Sequence, residues 1–212
     1  MTTTEQYREQ IRARRRKPEA PQWHFPRIGE FYQSLRVLVF DATLTNCGWA
    51  GMTAWHDRID VWAKGTVRPV TQRLSYLGTW DKAAELHHQL ALIDRDFGYG
   101  AHVVVEAPSV GGGSRTESSL IAGLLVAMLR PAGGWDAVSA THVSAVLLGD
   151  HSVRSAERKP RIREAVIRLV PEAAGRDWNE HERDAVATGA TWLYDEALRR
   201  PQQPYRRETG DE

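Results

Sequence analysis

Two short apolar runs that each close on an acid constrain this chain more than any other feature. Residues 35–40 end at Asp41 in RVLVFDATLTNCGWAG, and residues 101–105 end at Glu106 in AHVVVEAP. Runs of this length with almost no polar interruption fit strands buried on both faces, which need helices above and below the sheet. An acid closing such a strand emerges at the end of the sheet, where carboxylates from neighbouring strands can share one metal-sized volume. Far along the chain, NEHERDAVA supplies His181 and Asp184, three residues apart and therefore on one face of a helix. Acids gathered in this way repel one another until a cation neutralises them. The expected cation is Mg²⁺, which takes oxygen ligands and keeps waters, and an imidazole at position 181 also admits Mn²⁺ as a substitute.

The segments between these landmarks read as an α/β domain over residues 31–199. After the first strand, residues 47–55 and 58–67 follow short polar interruptions and imply antiparallel hairpins. In the second of these, Ile59, Val61 and Ala63 alternate with Asp60, Trp62 and Lys64, which predicts two distinct faces. Residues 80–97 carry Ala83, Leu86, Leu90 and Ile93 at helical spacing and stop at Gly98. The Glu106 strand follows, then a glycine run in SVGGGSR, a helix over 117–129, a weaker strand over 136–143, a short basic helix over 161–169 and a longer helix over 179–198. Asn179 or Asp177 caps the last helix, each with a Glu three residues on. Glu180 and Glu182 then read as cap and surface acids outside the core site. The resulting order, βββαβαβαα, fits a mixed sheet of about five strands flanked by helices.

Residues 1–30 are polar and hold Arg12, Arg14, Arg15, Arg16 and Lys17 almost together, so they read as a basic mobile arm that is either solvated or in contact with phosphate. Residues 200–212, with two prolines and no apolar stripe, read as a disordered tail. Cys47 is the single cysteine, which leaves no intrachain disulfide and no cysteine-built zinc site. No apolar run approaches the roughly 20 residues of a membrane span, so the expectation is a soluble, cytoplasmic protein with no membrane partner. A net charge of +1 hides local patches: residues 154–168 hold six basic side chains against Glu157 and Glu164. Such a run is either a solvated face or a phosphate-binding one.

The order Asp41, Glu106, His181-x-x-Asp184 resembles the active-site series of RuvC-type Holliday junction resolvases, in the ribonuclease H-like nuclease superfamily. Gly48-Trp49 after the first acid is similar to the family's Gly-aromatic pair, and Lys159 in ERKPRIREAV resembles its basic segment before the last helix. In this sequence Ala42 and Thr43 stand where the family usually shows Pro and Gly. The resemblance implies a ribonuclease H-like fold and a homodimer that makes paired nicks in four-way DNA junctions. It further implies two Mg²⁺ ions held by Asp41, Glu106, His181 and Asp184, with Lys159 neutralising the transferring phosphate. Candidate DNA contacts are Arg115 beside the glycine run, then Arg154, Arg158, Lys159, Arg161 and Arg163. Two alternatives stay open: a structure-specific DNA-binding module that does not cut, and a ribonuclease H acting on RNA–DNA hybrids with Glu85 as its helix glutamate. A weaker third, an actin-like ATPase or sugar kinase, rests on Asp41-Ala-Thr-Leu-Thr, which resembles a phosphate-loop Asp-x-Gly-x-Thr, and is disfavoured by length.

Overall fold

The first apolar run becomes the centre of the sheet. In the computed structural model, which describes residues 35–42, 46–55, 58–69, 76–98, 101–107, 134–150, 152–153 and 155–199, β1 is Leu35–Ala42. β2 (Cys47–Ala54) pairs with it antiparallel and β3 (Ile59–Val67) pairs antiparallel with β2. Helix α1 (Tyr76–Phe97) leads to β4 (His102–Ala107), which runs parallel to β1 on its other side, and β5 (Trp135–Ser139) runs parallel to β4. The sheet order is β3-β2-β1-β4-β5. The basic arm, the tail, the glycine run with Arg115, the helix expected over 117–129 and Arg154 lie outside the described residues.

Pleating divides the sheet's side chains between two cores. Leu38, Phe40, Val103 and Val105 pack with Trp49 against Leu86 and Leu90 of α1. On the opposite face, Leu35, Val37, Val39, Met52 and Val104 meet three helices, α2 (Ala140–Leu148), α3 (Ser155–Leu169) and α4 (Glu180–Arg199). Each fully buried Leu, Val or Phe contributes roughly 1.5–3 kcal/mol, which is why the central strand tolerates no polar residue between Val37 and Asp41. Among the described residues no helix is long and apolar enough to cross a membrane.

Three local expectations are corrected. The strand expected over 136–143 stops at Ser139, whose Oγ accepts a hydrogen bond from the His142 N–H at 3.2 Å and so starts α2, which ends at Gly149 with φ 64°. The valines of this stretch mimic a strand, but Val143 and Leu147 are buried four apart, the helical interval. Helix α3 begins at Ser155 and contains Pro160, so Lys159 sits within a helix and not in a preceding loop. Finally, the alternation in β3 is broken by a bulge: Met52 pairs with Val61 and Gly51 with Ala63, leaving Trp62 as the extra residue. The Trp62 ring fills the space a side chain at Gly51 would need. Beyond it the faces exchange, which puts Ala63 in the α1 core and turns Lys64 toward α4.

Candidate active site at the sheet end

Parallel pairing of β1 and β4 sets Phe40 beside Val105, so the next residues, Asp41 and Glu106, stand side by side. By alternation both share the face of Val39 and Val104, the face covered by α4. Gly48 of β2 lies opposite Asp41. It has no side chain because the backbone of His181 occupies that space. Two turns along α4, Gly189 makes the reciprocal approach: a Cβ there would lie 2.6 Å from Met52 Sδ and 2.7 Å from Val39 Cγ2. These two close approaches seat α4 against the sheet and bring His181 down onto Asp41. Gly48→Ala should therefore push the start of α4 away, destabilising the fold by about 1–3 kcal/mol. A urea midpoint equal to wild type would contradict this seating.

The start of α4 is fixed by a capping box. Asn179 Oδ1 accepts from the Glu182 N–H and Glu182 Oε2 accepts from the Asn179 N–H, both at 3.1 Å. Asn179, not Asp177, is thus the cap, and Glu182 is buried rather than a surface acid. Lys64, turned inward by the bulge, donates to Glu182 Oε2 at 3.2 Å and to the Asp177 carbonyl at 2.9 Å, with its Nζ 4.7 Å above the buried Trp178 ring. Neither Lys64 nor the burial of Glu182 was legible in the sequence, since both depend on the Trp62 bulge.

Asp41, Glu106, His181, Asp184, Arg158 and Lys159 all line one cleft of about 220 Å³, with Ala140, Val143, Ile162, Ala187 and Thr188 completing its walls. His181 Nδ1 lies 3.2 Å from Asp41 Oδ2, and this hydrogen bond raises the imidazole pKa. Burial, then the charges of Asp41 and Asp184, push Glu106 up to about 8, with Arg158 opposing. Burial and the Asp41 charge push Asp184 up to about 6. A proton on Glu106 thus offsets part of the like charge at neutral pH, and among the described residues no three His, Cys, Asp or Glu side chains stand in a closed metal-ligand arrangement. Three carboxylates and one imidazole, with two of the acids raised in pKa by burial and like charges, are a donor set suited to a hard divalent cation.

The basic residues separate by position. Arg158 lines the cleft, while Lys159 lines both the cleft and a neighbouring groove of about 540 Å³ between α3 and α4 that also includes Arg163, Glu180 and Arg183. Lys159 Nζ donates to Glu180 Oε1, which raises the lysine pKa and lowers that of Glu180. Arg183 is committed to the Ala173 and Gly175 carbonyls. Arg161 is half-buried and lines neither space. Glu85, the helix glutamate of the ribonuclease H alternative, accepts from Gln89 on α1, across the sheet, and does not line the cleft.

No protein-family model matches the chain, and no curated protein matches it in sequence. Among solved structures it superposes on Thermus thermophilus RuvC with a TM-score of 0.61 at 14% identity, covering 77% of this chain and 96% of that one. T. thermophilus RuvC in complex with a Holliday junction substrate matches with a TM-score of 0.60 at 17% identity and the same coverage. The fold is ribonuclease H-like. In this ribonuclease H-like sheet the cleft is built where two parallel strands end beneath a helix, so one helix and two strands suffice to bring Asp41, Glu106, His181 and Asp184 into one cleft.

Proposed function

We propose that the cleft is the active centre of a metal-dependent endonuclease that cuts branched DNA and resolves four-way junctions by paired nicks. The observation that carries this reading is the convergence of Asp41, Glu106, His181 and Asp184 in one cleft with Arg158 and Lys159 on its wall. A pair of divalent cations, Mg²⁺ or Mn²⁺, supplies Lewis-acid charge to the phosphodiester and to the attacking water when bound. Asp41 and Glu106 hold that charge from the rigid strands, and His181 and Asp184 close the set from α4. Arg158 draws the scissile phosphate in, and Lys159 exchanges Glu180 for phosphate oxygen, neutralising charge that develops on transfer. Lys159 and Arg163 continue the cationic track along the groove. A homodimer supplies two such centres for two symmetric nicks.

The test is digestion of labelled four-way, three-way and flap DNA and an RNA–DNA hybrid by purified protein with Mg²⁺. Paired nicks in the four-way junction support the proposal. Retardation without cutting would favour a binding module, against which an intact acid set argues.

Binding should also depend on salt through the same residues. Replacing Arg158, Lys159 and Arg163 together by Ala is expected to flatten the slope of log K against log salt by roughly 2–3, at about 0.9 for each duplex phosphate no longer neutralised. An unchanged slope would assign these side chains to a solvated face.

A further inference from the structure

One polar group in the cleft has no described partner. Thr188 is 1% exposed and lies on α4 one turn beyond Asp184, and among the described residues it makes no hydrogen bond. Helical hydroxyls elsewhere in this protein return to the carbonyl four residues back: Thr191 to Ala187 at 2.9 Å and Ser144 to Ala140 at 3.0 Å. Thr188 does not. It lines the cleft instead, and leaving a buried hydroxyl unpaired is destabilising. Of the charged donors there, Lys159 bonds Glu180 and His181 bonds Asp41, and Arg158 acts on Glu106 through charge. Of the four candidate ligands Asp184 also borders the outer groove, Asp41 already accepts from His181, and Glu106, which like Thr188 lines only the inner cleft, hydrogen-bonds Asp41 without a cation present.

Resting on the proposed cation site, we infer that Thr188 is a positioning residue whose hydroxyl donates to the Glu106 carboxylate when that carboxylate holds a divalent cation. A ligating carboxylate has a second oxygen free to accept, and a donor on it fixes the orientation in which the first oxygen faces the metal. Thr188 sits on the same helix as two of the other ligands, so its hydroxyl ties the strand-borne acid to the helix-borne pair.

The experiment measures Mn²⁺ binding to the full chain without DNA by calorimetry, and the thermal midpoint without metal, for wild type, Thr188→Val and Thr188→Ser. Thr188→Val, equal in shape but lacking the hydroxyl, should weaken Mn²⁺ by about tenfold or more. Its metal-free midpoint should hold or rise by a few °C, because an unpaired buried hydroxyl is gone. Thr188→Ser should bind as wild type, and in a Glu106→Gln background Thr188→Val should change Mn²⁺ affinity no further. Wild-type Mn²⁺ affinity in Thr188→Val overturns this inference alone, as does a lowered midpoint with equal loss of binding in Thr188→Ser, which marks a packing role. Absence of Mn²⁺ binding by the wild type overturns the cation reading and this inference with it.

Discussion

Asp41→Asn is expected to lower four-way junction cleavage by on the order of 10³-fold or more. Charge stabilisation at a metal centre amounts to several kcal/mol, and each 1.36 kcal/mol is tenfold in rate. Asp41 is the residue on which the site turns: it accepts from His181, sits beside Glu106 and raises the pKa of both Glu106 and Asp184. The amide keeps the shape and an oxygen that can accept from His181 Nδ1, so α4 stays seated. Junction binding should survive or strengthen, because one negative charge has left the cleft proposed to receive the phosphate. Turnover at the wild-type rate would remove Asp41 from the chemistry.

Glu106→Gln is expected to raise the stability of the metal-free protein in alkaline solution while it abolishes cleavage. Folding raises the Glu106 pKa from 4.5 to about 8, so the folded state binds the proton more tightly than the unfolded chain does. A raised pKa contributes stability that is complete below pH 4.5 and is lost as pH climbs through 8. Glutamine never ionises and escapes that loss. The two proteins should therefore match near pH 4 and diverge through neutrality, with the variant ahead by on the order of a few kcal/mol above pH 8. Asp184, raised from 3.8 to about 6 by burial and Asp41, adds the same trend over a lower window. Urea midpoints across pH 4–9 without metal measure it, and a wild type as stable as the variant at pH 9 would contradict the burial of Glu106.

The parts of the site carried by periodicity were legible in the sequence. The strand-end acids follow from apolar runs broken only near their starts, by Arg36 and His102, before Asp41 and Glu106, and the His181-x-x-Asp184 face follows from helical spacing behind a cap. The five-stranded mixed sheet was equally readable, because short connectors force hairpins and long ones permit parallel crossovers. What stayed hidden depended on neighbours distant in sequence. A one-residue bulge at Trp62 has no local signature, yet it turns Lys64 onto Glu182 and so helps place His181. Helix α2 was masked by its valines, although Ser139 before it and Gly149 after it are an ordinary start and stop. Pro160 drew the expected start of α3 too late, which hid the helical setting of Lys159. Thr188 had one available signal, its place four residues after Asp184 on the same face.

A divalent cation that enters the cleft should displace the proton that Glu106 carries at neutral pH. Calorimetric titration of Mn²⁺ into the metal-free protein at pH 7, in two buffers of different ionisation enthalpy, tests it directly. With Glu106 at about 8 and Asp184 at about 6, the first is largely protonated at that pH and the second largely ionised. Saturable binding should therefore release the proton of Glu106 and, in addition, the fraction that His181, whose pKa is also raised, gives up on ligating, and Asp41→Asn should weaken or abolish it. Binding that releases no proton and is unchanged by Asp41→Asn, or no saturable binding at all, would contradict the account.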